Sequence, residues 1–145
     1  MTQQDINRAQ EYLMRGRGIK QEIAELRQRK DKKYAELIKA SAGRYGERVQ
    51  CSHGNTEEQR RVEYSELMQS IKGLEIKLDG VLSDTLNTIS LIDNSRLRRF
   101  LSAYYIDCMT LEETAEMLEL SPRHIHRVHK KAVIAFAEAI KKAED

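Results

Sequence analysis

Turn-forming residues are scarce: one proline and seven glycines serve 145 residues, tryptophan is absent and aromatic residues amount to 6%. A many-stranded sandwich or barrel needs a turn signal every 8 to 12 residues or so, and this chain does not supply them. All-helical architecture is expected instead. Only two cysteines occur, Cys51 and Cys108, in unrelated contexts. That excludes a disulfide framework and a zinc knuckle, and fits a reducing cytoplasm. No apolar run approaches the roughly 18 residues of a membrane span, and the opening MTQQDINRAQ lacks the plan of a signal peptide. A cytoplasmic protein with no membrane partner is expected.

The 40% hydrophobic and 33% charged residues fit one globular domain with much solvated surface. The net charge of +2 hides an asymmetry. Residues 1–49 hold 12 Lys/Arg against 7 Asp/Glu, residues 50–94 hold 4 against 8, and the remainder 9 against 8. A basic segment followed by an acidic one suits two helices lying side by side.

From Thr2 to about Ala40, Ile19, Ile23, Leu26 and Leu37 mark a narrow helical stripe, interrupted by Lys30 and Lys33 at seam positions. Gly16 and Gly18 each cost about 1 kcal/mol relative to alanine in a helix, which predicts a kink or break near 15–18. Residues 41–55 carry no apolar period and read as a surface loop, with Arg44 and Arg48 in it and Cys51 and His53 incidental. Thr56 and Gln59 have capping-box spacing and predict a helix start there, with Glu57 and Glu58 in its first turn. Tyr64, Leu67, Ile71, Leu74, Leu78 and Val81 then form the best heptad pattern in the chain, continued on a shifted stripe by Leu82, Leu86 and Ile89. Segments 19–40 and 57–78 are each about 33 Å long at 1.5 Å per residue, matched for an antiparallel hairpin. Such a hairpin buries little core by itself, so its seam can equally serve a homo-oligomer.

Asp93, Asn94 and Ser95 offer N-caps for a short amphipathic helix carrying Leu97, Phe100, Leu101 and Tyr104, which ends near Ile106. The segment 110–132, TLEETAEMLELSPRHIHRVHKKA, is the specific one. Thr110 and Glu113 form a capping box; Ser121 caps a second helix with Pro122 at its first position. Two helices separated by about three residues make a helix-turn-helix arrangement. Ala115 is the small residue at the crossing, and Leu118, Leu120, Ile125 and Val128 lock it. Helical spacing turns Ile125, Val128 and Ala132 inward, leaving Arg123, His126, Arg127 and Lys130 outward. No acid occurs from Ser121 to Ala137. Glu119 stands where glycine eases a left-handed turn, a strain of the order of 1 kcal/mol unless the turn differs slightly.

Beyond the motif, the stretch RLRRFLSAYYIDCMTLEETAEMLELSPRHIHRVHKKAVIAF resembles the DNA-binding domain of sigma-70 region 4. With the long helical segment before it and a final helix after, the chain looks like phage and prophage late-gene transcriptional regulators of the ArpU/RinA type. The resemblance covers about 50 C-terminal residues well and the first 90 in general plan. It implies a small activator or regulator that binds duplex DNA at phage promoters in a bacterial cell, with host RNA polymerase as a further candidate partner.

The fold expected is therefore all-α, with a helical hairpin for assembly over 1–92 and a helix-turn-helix unit over 93–145. Ser121, Arg123, His126, Arg127 and Lys130 are expected in the major groove, with His124 and Lys131 beside them completing a DNA-binding set that also holds phosphate. Arg98 and Arg99 read as an exposed basic pair able to reach phosphate, and Tyr104 and Tyr105 as packing residues. His124 and His126 diverge by about 200° and cannot share a metal; His126 with His129 supplies too few ligands. Glu112, Glu113, Glu116 and Glu119 read as a solvated face that repels phosphate. Arg-Gly-Arg-Gly at 15–18 lacks the strand and third glycine of a dinucleotide fingerprint, and no phosphate loop or zinc-protease motif occurs, so neither catalysis nor a cofactor is expected. The alternatives are a phage small terminase subunit and a helical protein–protein adaptor.

Overall fold

A computed structural model describes residues 1–43 and 53–144. It is all-α, with no strand among the described residues. The helices are α1 (Gln3–Gly43), α2 (His53–Ser90), α3 (Ser95–Leu101), α4 (Leu111–Met117) and α5 (Pro122–Glu144); a π-helical stretch, Ser102–Ile106, continues α3. None is long and apolar enough to cross a membrane.

The chain forms two compact units, Met1–Ile19 with Leu78–Asp145, and Lys20–Lys77. This is not the division expected at residue 92. In the first unit Ala9 and Leu13 of α1, and Ile89 and Ile92 from the end of α2, share one core with Phe100, Leu101, Ile125 and Phe136. Ile6, Ala9 and Leu13 recur at spacings of three and four, so the start of α1 offers an apolar face of its own. Tyr12 packs on Phe136 with ring centroids 5.7 Å apart, and Asp5 pairs with Lys141 at 2.9 Å. The Thr2 amide and hydroxyl both donate to Asp5, and with Lys141 they hold its carboxyl well below the usual carboxylate range.

The expected break near Arg15 to Gly18 does not occur; α1 is helical throughout. Gly16 is buried, and a Cβ there would lie 3.1 Å from Leu82 Cδ2, so the glycine permits close packing. Its helix cost of about 1 kcal/mol is a weak preference that such packing overrides. The shifted stripe on α2 is also corrected. Leu86 is 44% exposed while Thr85 is buried, its hydroxyl donating 2.8 Å to the carbonyl of Val81. A threonine can face the core when the preceding turn satisfies its hydroxyl.

In the second unit α1 and α2 run antiparallel, as the pairs Arg27–Glu75 and Lys33–Glu63, both 2.6 Å, establish. Ile23 and Ile71 are buried, and the Tyr34 and Tyr64 rings lie 5.9 Å apart. Lys33, which interrupts the apolar stripe, is thus accommodated by an acid on the facing helix. Glu63 raises the lysine's pKa, and Lys33 lowers that of the carboxyl. Of the expected loop 41–55, residues 44–52, and with them Arg44, Arg48 and Cys51, lie outside the described residues. Residues 53–55 are helical, so α2 starts before Thr56 and the Thr56–Gln59 spacing does not mark its beginning. Within a helix the Gln59 amide already has a carbonyl partner four residues back.

Candidate nucleic-acid interface

Local capping builds the region around α4 and α5. Asn94 caps α3, its side chain accepting from the amides of Arg96 and Leu97. Thr110 and Glu113 form the reciprocal box at the start of α4: the Glu113 amide donates to Thr110 Oγ1 at 3.1 Å, and the Thr110 amide to the Glu113 carboxylate at 3.5 Å. Ser121 Oγ accepts from the His124 amide at 3.1 Å, with Pro122 opening α5.

Between the two helices, Glu119 adopts φ 57°, in the left-handed region. The Leu120 amide donates to the Ala115 carbonyl at 2.8 Å and the Glu119 amide to that of Glu116 at 3.1 Å. This is the double bond pattern that closes a helix C-terminus, here with glutamate where glycine is usual. The chain accepts the left-handed strain because two otherwise orphaned carbonyls gain partners. Cys108, also left-handed at φ 56°, ends the π-helical stretch in a comparable way.

Ala115, Leu118, Ile125, Val128 and Ala132 are buried, as the spacing predicts. Ser121, Arg123, His124, His126, Arg127, Lys130 and Lys131 are all exposed, so the seven residues expected at DNA lie on the solvent side of one helix. Glu112, Glu113, Glu116 and Glu119 are exposed as well, giving α4 an acidic surface beside the basic one of α5.

Arg98 departs from the expected exposed pair. It is half-buried, and its Nη1 donates to the carbonyls of Ile92 and Asp93, the latter at 2.8 Å. Arg98 therefore closes the turn between α2 and α3, while Arg99 remains exposed.

His129 separates from the other histidines of α5. It is half-buried, and its Nε2 lies 2.7 Å from the hydroxyl of Tyr105. The rings of Phe100 and Tyr104 each stand 5.1 Å from the imidazole, Tyr105 meets Tyr104 edge-on at 4.8 Å, and the Arg17 guanidinium lies 4.5 Å above Tyr104. Burial, with His126 nearby, lowers the His129 pKa. Burial pushes the Tyr105 phenol up to about 12. The phenol keeps its proton, and it donates to Nε2 in the tautomer that carries the ring proton on Nδ1. Sequence reading missed this pair because its members lie 24 residues apart and the π-helical stretch alters the facing of Tyr104 and Tyr105. Two adjacent tyrosines one helix away from a histidine were the available signal.

No protein-family model, curated protein or solved structure matches the chain.

Proposed function

We propose that the protein is a sequence-specific duplex-DNA-binding regulator of transcription, acting on phage or prophage late genes in a bacterial cell. The observation that carries this reading is the uniform exposure of Ser121, Arg123, His124, His126, Arg127, Lys130 and Lys131 on a capped helix with no acid before Glu138. The left-handed turn at Glu119 and the apolar lock behind α5 support a helix-turn-helix. In it, α5 enters the major groove and its first turn meets phosphate with positive dipole and exposed basic groups. Arginine at 123 and 127 can grip guanine with two donors, while Lys130 and Lys131 act on the backbone as point charges. The acidic surface of α4 keeps that helix away from phosphate and leaves it to water or a protein such as RNA polymerase.

The test is to incubate the protein with sheared DNA from its source genome at near-physiological salt and to sequence the bound fragments. Promoter-proximal enrichment is expected. Enrichment at a packaging start would make the chain a small terminase subunit, and weak, salt-sensitive binding without selection would favour the adaptor. On the enriched fragment, Arg127→Ala is expected to lose about 1–3 kcal/mol of binding if Arg127 reads a base.

A further inference from the structure

Close packing of the buried residues of α5 sets its angle in the unit, and a directional contact behind the helix narrows the rotation that remains. Contacts of Ile125, Val128 and Ala132 are non-directional, whereas a hydrogen bond weakens steeply off line. A rotation of about 20° moves an atom some 6 Å from a helix axis by about 2 Å, enough to take a side chain out of hydrogen-bond reach of a base. A directional contact behind α5 would hold the face that Arg127 and Lys130 present more sharply than packing alone.

We propose that Tyr105 is a positioning residue for this face, its hydroxyl donating to an unprotonated Nε2 of His129 2.7 Å away, so that the bond works only while the imidazole is neutral. His129 sits between Arg127 and Lys130 in sequence, on the same turn of α5, and Tyr105 is 1% exposed and anchored in the core. A bond from the core to that turn ties the exposed basic groups to the rigid part of the unit. This inference rests on the DNA-binding reading.

The groups around the imidazole are few. The π-helical stretch brings Tyr104 and Tyr105, and α5 itself brings His126. From α1, Arg17 lies above Tyr104, and Glu11 lines the same cleft as Tyr104, Tyr105 and His129. No carboxylate is paired with His129 at salt-bridge distance among the described residues. A proton on the ring therefore removes the acceptor and leaves a half-buried cation with no paired anion.

The experiment compares wild type, Tyr105→Phe, His129→Leu and His129→Gln for affinity to the enriched fragment between pH 5.5 and 8. Phenylalanine keeps the ring and deletes only the donor; glutamine offers an acceptor that does not titrate. Tyr105→Phe and His129→Leu are expected to bind about fivefold more weakly at pH 7.5, the size of one ordinary net hydrogen bond. The ratio of wild type to Tyr105→Phe should fall toward one at pH 5.5, while His129→Gln matches wild type at pH 7.5 and keeps its advantage over Tyr105→Phe at pH 5.5, binding about fivefold more tightly than wild type there. Taking the ratio at each pH cancels the titration of exposed His124 and His126. Equal affinity of wild type and Tyr105→Phe at every pH, or a constant ratio, would overturn the proposal. A separate reading in the free protein is the amide NMR shift of Arg127 and Lys130. Tyr105→Phe should move both, and a change confined to the contacts of Tyr105 would sink the proposal even if no DNA were selected. Wild type that selects no DNA while those amides still move would refute the DNA reading alone.

Discussion

The two units are held together by different means. In Met1–Ile19 with Leu78–Asp145, aromatic and aliphatic side chains from every helix of the unit close over Phe100 and Phe136, both fully buried. Among the described residues of Lys20–Lys77, Ile23 and Ile71 are the buried aliphatic ones, and the helices are matched by ion pairs at the solvent edge, between a basic α1 and an acidic α2. Exposed ion pairs contribute little to stability, but they choose the partner and its direction. The first unit has the apolar core needed to fix small helices at set angles, and the candidate interface lies on it. The second is a two-helix seam with little buried apolar surface among its described residues.

The largest expected effect that sharpens this contrast is Phe136→Ala, which should cost about 3–5 kcal/mol because a buried ring leaves a cavity. Ile71→Ala in the hairpin should cost about 2 kcal/mol, at the low end of the range for such truncations, where a seam two helices thick can close up. Denaturant unfolding of both variants checks the order; equal costs would mean that the hairpin has a core as demanding as that of the first unit. Next is pH. His129 has a lowered pKa in the folded chain, so its stabilising contribution is present above the unfolded value near 6.5 and is lost as pH falls through the folded value. Glu63 is also lowered, from 4.5, so the hairpin loses its contribution only in more acid solution. Hydrogen exchange on acidification should show the first unit softening earlier, and His129→Gln should abolish that early step. The smallest effect concerns the turn. Glu119→Gly should stabilise the first unit by about 1 kcal/mol or less, because relief of left-handed strain is partly offset by the greater freedom of glycine in the unfolded chain. A thermal melt reads it, and loss of stability would show that the glutamate side chain contributes more than its backbone costs.

Much of this was legible along the chain. The caps at Asn94, Thr110 with Glu113, and Ser121 are local events, formed between residues two or three apart, so spacing alone reveals them. The outward set on α5 follows from 3.6-residue periodicity in a segment with a clean apolar face. Periodicity failed where packing outweighed a weak local preference. Gly16 costs a helix about as much as a cap contributes, yet the approach of Leu82 makes its small size useful. Thr85 took a core position from Leu86 because a hydroxyl can be satisfied within its own helix. Arg98 looked like a surface cation because its targets are backbone carbonyls, which no sequence pattern displays.

Local pattern was enough for the helical class, the helix starts around the turn, the basic outer face of α5 and the charge pairing of α1 with α2. All of these depend on neighbours within a few residues or on the average charge of a segment. Helix packing, by contrast, brought the first nineteen residues into the C-terminal core and set Tyr105 against His129 beneath the exposed face. Those outcomes depend on how whole helices pack, where many small contacts between distant residues add up to more than any local preference.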